Sequence, residues 1–262
     1  MKKLQIKYIA LLLVGITCFT FSCKDPVVVD EGYEAPAPPA EVNSRNVITI
    51  EYYTRLNDET LFQESETDLI VNRINSITTP LAYLFDRSDA QIGQTSPVVE
   101  IGWRTRTKSF FMQNTLSETL IQGTGMIVRP IINTFEGAAI PDTLFVGGCT
   151  LMAPLGYPVV VTLMTCRLDD IVQVPALVKL LGDGLKTNKI LIGTIKQNLS
   201  DEMKAYLKYN LKDFRLSFHA TNTAGKTREI FVLTPVNFVA REVISNNIGN
   251  LPMYQCKIEY IN

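Results

Sequence analysis

Residues 189–196 read KILIGTIK, and the predicted fold is organised around them. The apolar run at 190–192 predicts a buried strand that stops at Gly193, before a polar loop at 194–198. Residues 199–211 then show helical spacing with acids at their start. A buried strand that ends in a loop before a helix is where α/β folds place ligands. This loop has no carboxylate, no histidine and no run of glycines. The stretch therefore predicts the backbone arrangement of a ligand site without obvious catalytic or phosphate-binding residues.

The N-terminus combines a basic start, a short apolar run at 9–21 and the pair Ser22-Cys23. This order predicts a secretory signal peptide. It resembles a bacterial lipoprotein signal, in which cleavage frees a cysteine that then carries lipid. The resemblance implies that residues 1–22 are removed and that Cys23 is lipidated. The alternatives are an ordinary signal peptide and an uncleaved anchor, although a spanning helix needs roughly 20 apolar residues.

The rest of the chain is predicted to be one domain on a tether. Residues 23–44 are the lipidated cysteine and an acidic, Pro/Ala-rich spacer, and residues 45–262 form the domain. Loss of residues 1–22 removes three lysines and changes the formal charge from −1 to −4, which disfavours a general nucleic-acid binder. Cys149, Cys166 and Cys256 lie in apolar runs without CxxC spacing, so we expect buried free thiols.

Strand and helix patterns alternate in places and strands follow one another elsewhere. This predicts an α/β (α+β) fold in which two packed sheets carry helices on their outer faces. Helices are expected at 65–77, along the leucine stripe after Asp169-Asp170, and at 199–211. Strands are expected at 47–53, 79–85, 98–103, 109–112, 143–151, 158–165, 190–192, 228–233, 237–243 and 252–260. Gly123-Thr124-Gly125 is expected to break the chain.

Four short segments of the C-terminal half are informative through their order and spacing. They read TCRLD at 165–169, IGTIK at 192–196, TREIFV at 227–232 and IGNLP at 248–252. Their order and spacing resemble the endonuclease/exonuclease/phosphatase superfamily, which has the deoxyribonuclease-I-like fold. The family's motifs are T-H-L-D, G-D-F-N, I-D-Y-I-F-V and S-D-H-x-P. The resemblance implies a four-layer sandwich of two mostly antiparallel sheets with helices outside.

The same segments depart from the family at its functional positions. In the family, two histidines, a glutamate and several Asp and Asn side chains hold a divalent cation that activates water for attack on a phosphodiester. Here Thr194 and Lys196 stand for the Asp and Asn of G-D-F-N, and Arg228 stands for the Asp of the following motif. Cations at these positions would repel a metal ion, so we expect no metal and no other cofactor.

The histidine positions are lost as well. Cys166 or Arg167 stands near the first histidine, and Asn250 stands at the second. The single histidine, His219, lies outside both motifs and is more typical of a structural residue than of a catalyst. Asp86 is the acid nearest to the position of the family's glutamate. The resemblance therefore implies the fold and argues against the activity.

The resemblance also predicts a binding site. We expect the carboxyl ends of the strands at 158–165 and 189–192 to converge with the loops at 227–228 and 249–250. This convergence would bring Arg167, Lys196, Arg228 and Asn250 together in a cleft with few nearby acids. Such a cleft would hold phosphate, sulfate or carboxylate without hydrolysing it.

Other polar and aromatic patterns have both a structural and a functional interpretation. Asp169-Asp170 and Asp201-Glu202 are more typical of helix starts than of paired catalytic carboxylates. Alternating cations predict one charged strand face, either a protected edge or an anion-binding patch. Aromatic side chains near them are expected in the core rather than in a sugar-stacking platform. The cations are Arg104, Arg106 and Lys108, and the aromatic residues are Tyr83, Trp103 and Phe110-Phe111.

Together these observations predict a secreted, lipid-anchored protein of the bacterial envelope, at the outer membrane or cell surface. Its domain is expected to be a catalytically inactive phosphodiesterase fold that acts as a binding or scaffold protein. The alternatives are an active phosphoesterase or nuclease with a rewired site, a glycan-binding surface lipoprotein, and a structural subunit of an envelope complex. The expected partners are the membrane, through the lipid, and an anionic ligand, a glycan or an envelope protein.

Overall fold

The computed structural model describes residues 46–54, 64–116, 119–129, 133–134, 145–155, 157–182, 188–219 and 227–261. The predicted signal, Cys23 and the tether lie outside these ranges and remain predictions. No helix within the described ranges is long and apolar enough to cross a membrane.

Thirteen strands and four α-helices form in the described part of the chain. The strands are β1 (Val47–Tyr53), β2 (Ala82–Phe85), β3 (Ala90–Gln91), β4 (Lys108–Leu116), β5 (Leu120–Val128), β6 (Asn133–Thr134), β7 (Phe145–Leu155), β8 (Tyr157–Leu168), β9 (Asn188–Lys196), β10 (Phe214–His219), β11 (Arg228–Pro235), β12 (Phe238–Ile248) and β13 (Leu251–Tyr260). The helices are α1 (Glu64–Ser76), α2 (Pro97–Thr105), α3 (Gln173–Gly182) and α4 (Ser200–Asn210).

The strands form two sheets. The first has the order β12–β13–β1–β2–β5–β3, with β4 also paired to β5, and the second has the order β10–β11–β9–β8–β7–β6. Each sheet has a parallel pair near its centre, β1 with β2 and β8 with β9, and its other pairs are antiparallel. Parallel neighbours need a crossover connection, and α1 and α3 lie in those two crossovers.

Three apolar clusters hold the layers together. The inner cluster lies between the sheets and includes Ile50, Leu84, Leu163, Ile192 and Val232. The second packs α3 and α4 on the outer face of the second sheet, and the third packs α1 and α2 on the outer face of the first. This helix–sheet–sheet–helix order confirms the predicted four-layer sandwich. It also confirms that the strands predicted at 158–165 and 189–192 are neighbours, each covered by the helix that follows it.

Strand β9 is longer than predicted. The sequence predicts a loop from Thr194 onward, but β9 continues to Lys196, which is in register with Arg228 of β11. Gly193 does not end the strand. A Cβ there would lie 2.6 Å from the carbonyl oxygen of Cys166 and 3.0 Å from Cζ of Phe231, so the glycine allows close packing of neighbouring strands.

Residues 98–103 form part of α2, and their prediction as a strand is wrong. Val98, Ile101 and Gly102 are buried at helical spacing, and a proline stands in the first turn, where its missing N–H costs nothing. A short apolar run does not by itself distinguish a buried strand from a helix.

The predicted break at Gly123 and Gly125 lies inside β5 instead. A Cβ on Gly125 would meet Val98 Cγ2 at 2.4 Å, and one on Gly123 would meet the carbonyl oxygen of Met112 at 2.2 Å. These glycines therefore let α2 and β4 lie close to β5.

The predicted cationic strand face does not form. Arg104 lies in the last turn of α2, where it pairs with Asp68 and Glu100. Arg106 ends that helix with φ at 54°, and Lys108 begins β4. The prediction is wrong because a helix end separates the three cations.

Candidate functional site

Polar side chains collect between the two sheets at one end of the sandwich. Alternate residues of a strand point to the same face, so the apolar inner rows continue into polar residues where the strands end. Thr194, Lys196 and Arg228 extend the inner rows of β9 and β11. Thr54 and Asp86 extend those of β1 and β2. Both sheets therefore contribute to one polar end.

Asp86 joins the sheets at this end. Its Oδ2 atom accepts hydrogen bonds from Thr54 Oγ1 at 2.9 Å and from Thr194 Oγ1 at 2.7 Å, and the residue is buried. Burial, and then the charge of Asp86, raise the pKa of the Tyr52 hydroxyl well above its usual value. Tyr52 therefore stays protonated at physiological pH.

Arg228 places a fully buried guanidinium beside these groups. Its Nε donates to Thr194 Oγ1 at 3.1 Å, and its Nη2 donates to the carbonyl oxygen of Leu168 at 2.9 Å. Its Nη1 donates to Asp169 Oδ1 at 2.5 Å. A buried charge is tolerated when it is paired and hydrogen-bonded in this way. Arg228 is thus a fixed positive charge between the sheets.

Three cations converge on Asp169, and we call Arg167, Lys196 and Arg228 the cation cluster. Arg167 Nε lies 3.6 Å from Asp169 Oδ2, and Lys196 Nζ lies 4.0 Å from Asp169 Oδ1. Partial burial acts to raise the pKa of Asp169, but the charges of Arg228, Arg167 and Lys196 outweigh it and the net pKa is lowered. Asp169 is therefore ionised and offsets part of the positive charge.

Asp89 adds a further buried carboxylate. Its Oδ2 accepts a hydrogen bond from Arg87 Nε at 3.0 Å. Burial raises the pKa of Asp89, although the charges of Arg87 and Arg167 oppose that shift. The prediction of few nearby acids is therefore wrong, because the cation cluster lies among Asp86, Asp89 and Asp169.

The loop that carries Asp169 is held by the first residue of α3. Gln173 Oε1 accepts hydrogen bonds from the backbone N–H of Asp169 at 2.6 Å and of Asp170 at 3.1 Å. Asp170 Oδ1 accepts from the backbone N–H of Val172 at 3.1 Å. Asp170 thus has the local role predicted for an acid near a helix start. Asp169 does not, because its carboxylate turns toward the cation cluster.

Asn250 lies at the end of the first sheet that carries Thr54, because β13 starts beside the end of β1. It occupies an exposed turn between β12 and β13, in the first sheet, whereas the cation cluster belongs to the second. The structure thus joins Arg167, Lys196 and Arg228 through Asp169 and shows Asn250 on the other sheet. Anion binding by these residues remains a prediction.

The remaining predictions concern the cysteines, the single histidine and the aromatic residues. Cys166 and Cys256 are buried free thiols, as predicted, whereas the side chains of Cys149 and His219 lie outside the described part of the chain. Tyr83 and Phe110 are buried in the core, as predicted, whereas the prediction is wrong for Trp103, which is exposed at the end of α2. These aromatic rings therefore do not make one sugar-stacking platform.

Solved structures of other proteins share this architecture. The human Nocturnin catalytic domain with bound sulfate anion has a TM-score of 0.57 and 10% identity, with 86% of this chain and 100% of that chain covered. ANGEL2, a 2′,3′-cyclic phosphatase in complex with adenosine-2′,3′-vanadate, has a TM-score of 0.52 and 8% identity, with 82% and 96% covered. The endonuclease domain of TRAS1, a telomere-specific non-LTR retrotransposon, has a TM-score of 0.50 and 9% identity, with 82% and 100% covered.

The chain has the endonuclease/exonuclease/phosphatase fold. At such low identities the likeness establishes the fold alone. No protein-family model and no curated protein matches the sequence.

The endonuclease/exonuclease/phosphatase fold implies a divalent cation, and the side chains at this end do not fit one. Magnesium and manganese prefer carboxylate, carbonyl and water oxygens. Here Asp86 already accepts two hydroxyl hydrogen bonds, and the guanidinium of Arg228 donates to Thr194. Within the described ranges, no group of three His, Cys, Asp or Glu side chains is arranged to hold a metal ion.

Sequence reasoning missed Asp169 as the residue on which the cations converge. An acid next to a helix start has a sufficient local explanation, so nothing in its own neighbourhood indicates an ion pair. A usable signal was present in the strand rows. Once Thr194 and Lys196 are placed in β9, the pairing of β8, β9 and β11 brings Arg167 and Arg228 to the same edge as the loop that follows β8.

Proposed function

We propose that this chain is a secreted, lipid-anchored protein of the bacterial cell envelope whose domain binds an oxyanion and does not hydrolyse it. The observation that carries the proposal is the buried guanidinium of Arg228, which donates to Thr194 and Asp169 at a position where the resemblance implies an Asp in the family. A fixed guanidinium supplies positive charge and hydrogen-bond donors to an anion. Unlike a metal ion, it does not bind and activate a water molecule for attack.

Access to the site supports a ligand at its outer side. Lys196 has 38% of its side chain exposed, while Arg228 is fully buried behind it. A sulfate anion is bound in the Nocturnin structure, and ANGEL2 holds a vanadate ester, so this fold accommodates tetrahedral and related oxyanions in other proteins. Lys196 at the surface and Arg228 beneath it would provide the donors here.

The test is a sulfate titration of the purified domain by calorimetry, at constant ionic strength. We expect saturable binding by the wild type and a loss of about fivefold or more for Lys196→Ala, because a charged donor is removed. Lys208→Ala is the matched control, since Lys208 is an exposed lysine in the last turn of α4. Equal affinity for the wild type and Lys196→Ala, or no saturable binding at all, would exclude this site.

A rewired hydrolase is the second candidate, and one observation favours it. Asp86 is a buried carboxylate directly after β2, and it is the acid nearest to the position of the family's metal-binding glutamate. Thermal unfolding with magnesium or manganese separates the two candidates, because an ion that binds the folded state raises the midpoint. We expect no saturable rise at sub-millimolar ion and no hydrolysis of bis-p-nitrophenyl phosphate. A saturable rise accompanied by hydrolysis would favour the enzyme.

A further inference from the structure

The carboxylate of Asp169 lies among the three cations of the cation cluster. One of its oxygens accepts from Arg228 Nη1 at 2.5 Å and lies 4.0 Å from Lys196 Nζ. The other lies 3.6 Å from Arg167 Nε. A carboxylate has two oxygens in one plane, and both are directed to cations here. The protein thus supplies an anion to its own site.

The exposure of these groups decides what an external ligand can reach. The side chains of Arg228 and Arg167 are 0% and 3% exposed, whereas those of Lys196 and Asp169 are 38% and 31% exposed. Solvent therefore meets the lysine and the aspartate first. An external oxygen atom that is to accept the Arg228 Nη1–H now directed at Asp169 has to replace the oxygen of Asp169.

The backbone of Asp169 is fixed, while the contacts that the structure describes for its carboxylate are with the cation cluster. Gln173 Oε1 anchors the backbone N–H of Asp169, and Gln173 is itself buried. Rotation of the Asp169 side chain toward solvent would leave those backbone hydrogen bonds intact. Displacement of the carboxylate therefore does not require the loop to unfold.

We propose that Asp169 is an internal competitor of the oxyanion ligand and sets the affinity and ligand class of this site. The proposal rests on the proposed function and deepens it. A ligand must present at least two oxygens that share a negative charge, as carboxylates, sulfate and phosphate do, so that it takes over the contacts with Arg228 and Arg167. Simple halide ions carry the charge without the paired oxygens and are poor substitutes.

The experiment compares wild type, Asp169→Asn and Asp201→Asn in calorimetric titrations with sodium sulfate, sodium acetate and sodium chloride. Asn has the size of Asp but no charge, so in the first variant the ligand competes with no internal anion. We expect it to bind sulfate and acetate at least about tenfold more tightly than the wild type, with little change for chloride. Asp201 has a fully exposed side chain, so Asp201→Asn removes one charge elsewhere and should match the wild type.

The outcomes separate this proposal from the one on which it rests. If the wild type binds sulfate and Asp169→Asn binds it no more tightly, Asp169 is not a competitor, while oxyanion binding stands. If neither protein binds any oxyanion, the proposed function fails and this inference fails with it. A stronger response to acetate than to sulfate assigns the site to carboxylates, and the reverse assigns it to tetrahedral oxyanions.

A measurement on the wild type decides the matter if Asp169→Asn does not fold. The carboxyl carbon of Asp169 can be followed by nuclear magnetic resonance while sulfate is added. We expect its resonance to move toward that of a solvent-exposed aspartate as the site saturates. A carboxyl resonance that stays unchanged while the site saturates would overturn the proposal.

Discussion

Arg228 is the residue whose loss should cost the domain most at its polar end. In Arg228→Met, the partners Asp169, Thr194 and the Leu168 carbonyl lose their donor. Breaking a buried ion pair by removing one partner costs about 3–5 kcal/mol, and we expect about 2–4 kcal/mol here because Asp169 reaches solvent. Urea unfolding followed by circular dichroism measures this loss.

Arg215→Met is the control for that measurement. Arg215 is exposed and donates to one backbone carbonyl, that of Val236, so its replacement should stay within about 0.5 kcal/mol of the wild type. Equal losses in both variants would show that the buried guanidinium does not stabilise the fold in the way its contacts indicate.

The charge of Asp169 gives the domain a defined response to acid. Its pKa is lower in the folded state than in the unfolded chain, where the pKa of an aspartate is about 3.9. Stability from this group is therefore fully present above that value and is lost as the pH falls through the folded value. We expect Asp169→Asn to be less stable than the wild type at pH 7, and the difference to shrink below about pH 4.

Asp89→Asn is expected to show the opposite pH dependence of stability in the same unfolding experiment. The pKa of Asp89 is raised in the fold, mainly by burial, so this residue's contribution to stability falls as the pH rises between the unfolded and folded values. The stability of Asp89→Asn relative to that of the wild type should therefore be higher at high pH than at low pH. Parallel pH trends for the two variants in urea unfolding would contradict the assigned electrostatics.

At the scale of single elements, β9 depends on the absence of a side chain at Gly193. Gly193→Ala would place a Cβ 2.6 Å from the Cys166 carbonyl oxygen and 2.9 Å from its Sγ. Overpacking of this kind costs about 1–3 kcal/mol, and we expect a fall of that size in urea unfolding. Gly182→Ala is the control, because no atom lies within 4 Å of its added Cβ at the end of α3. A neutral Gly193→Ala would mean that β8 and β11 move apart without cost.

The elements also show what the sequence could and could not predict. Helices α3 and α4 follow from apolar periodicity, since each presents one buried face to the core. Strands β11 and β13 follow from apolar runs whose residues are buried on both faces of their sheets. Helix α2 could not be distinguished from a strand by its short apolar run. The end of β9 cannot be predicted from its glycine, because the packing role of Gly193 depends on Cys166 and Phe231, which are distant in the chain.

The candidate site can likewise be predicted only in part from the sequence. The resemblance brought Arg167, Lys196 and Arg228 into one predicted group, and the structure joins them through Asp169. The acids around them were not predicted, since their roles depend on contacts between strands that are remote in sequence. Asp86, for example, accepts from Thr194, which lies in the other sheet.

At the scale of the whole molecule, the N-terminal pattern gives a testable prediction of the protein's location in the cell. If Cys23 carries lipid, Cys23→Ala should remain unprocessed or appear in the soluble fraction of cells, while wild type is found with membranes. Mass spectrometry of the wild type should show a lipid-modified N-terminal Cys23. Cys256→Ala is a matched control, because this thiol is buried in the inner core and should not affect fractionation. An unmodified Cys23 in membrane-purified protein would end the anchoring prediction.

Strand β1 begins and ends at opposite ends of the first sheet. At its start, the backbone N–H of Tyr260 donates to the carbonyl oxygen of Asn46 at 2.8 Å, and at its end Thr54 donates to Asp86. Tension between the N-terminal side of the domain and a ligand held near Asp169 would therefore enter the first sheet lengthwise through β1. The hydrogen bonds of β1 to β13 and β2 lie across that direction, so they would be loaded in shear and would have to break together. If a ligand holds the polar end, the central position of β1 is expected to let the domain resist such a pull better than an edge strand would.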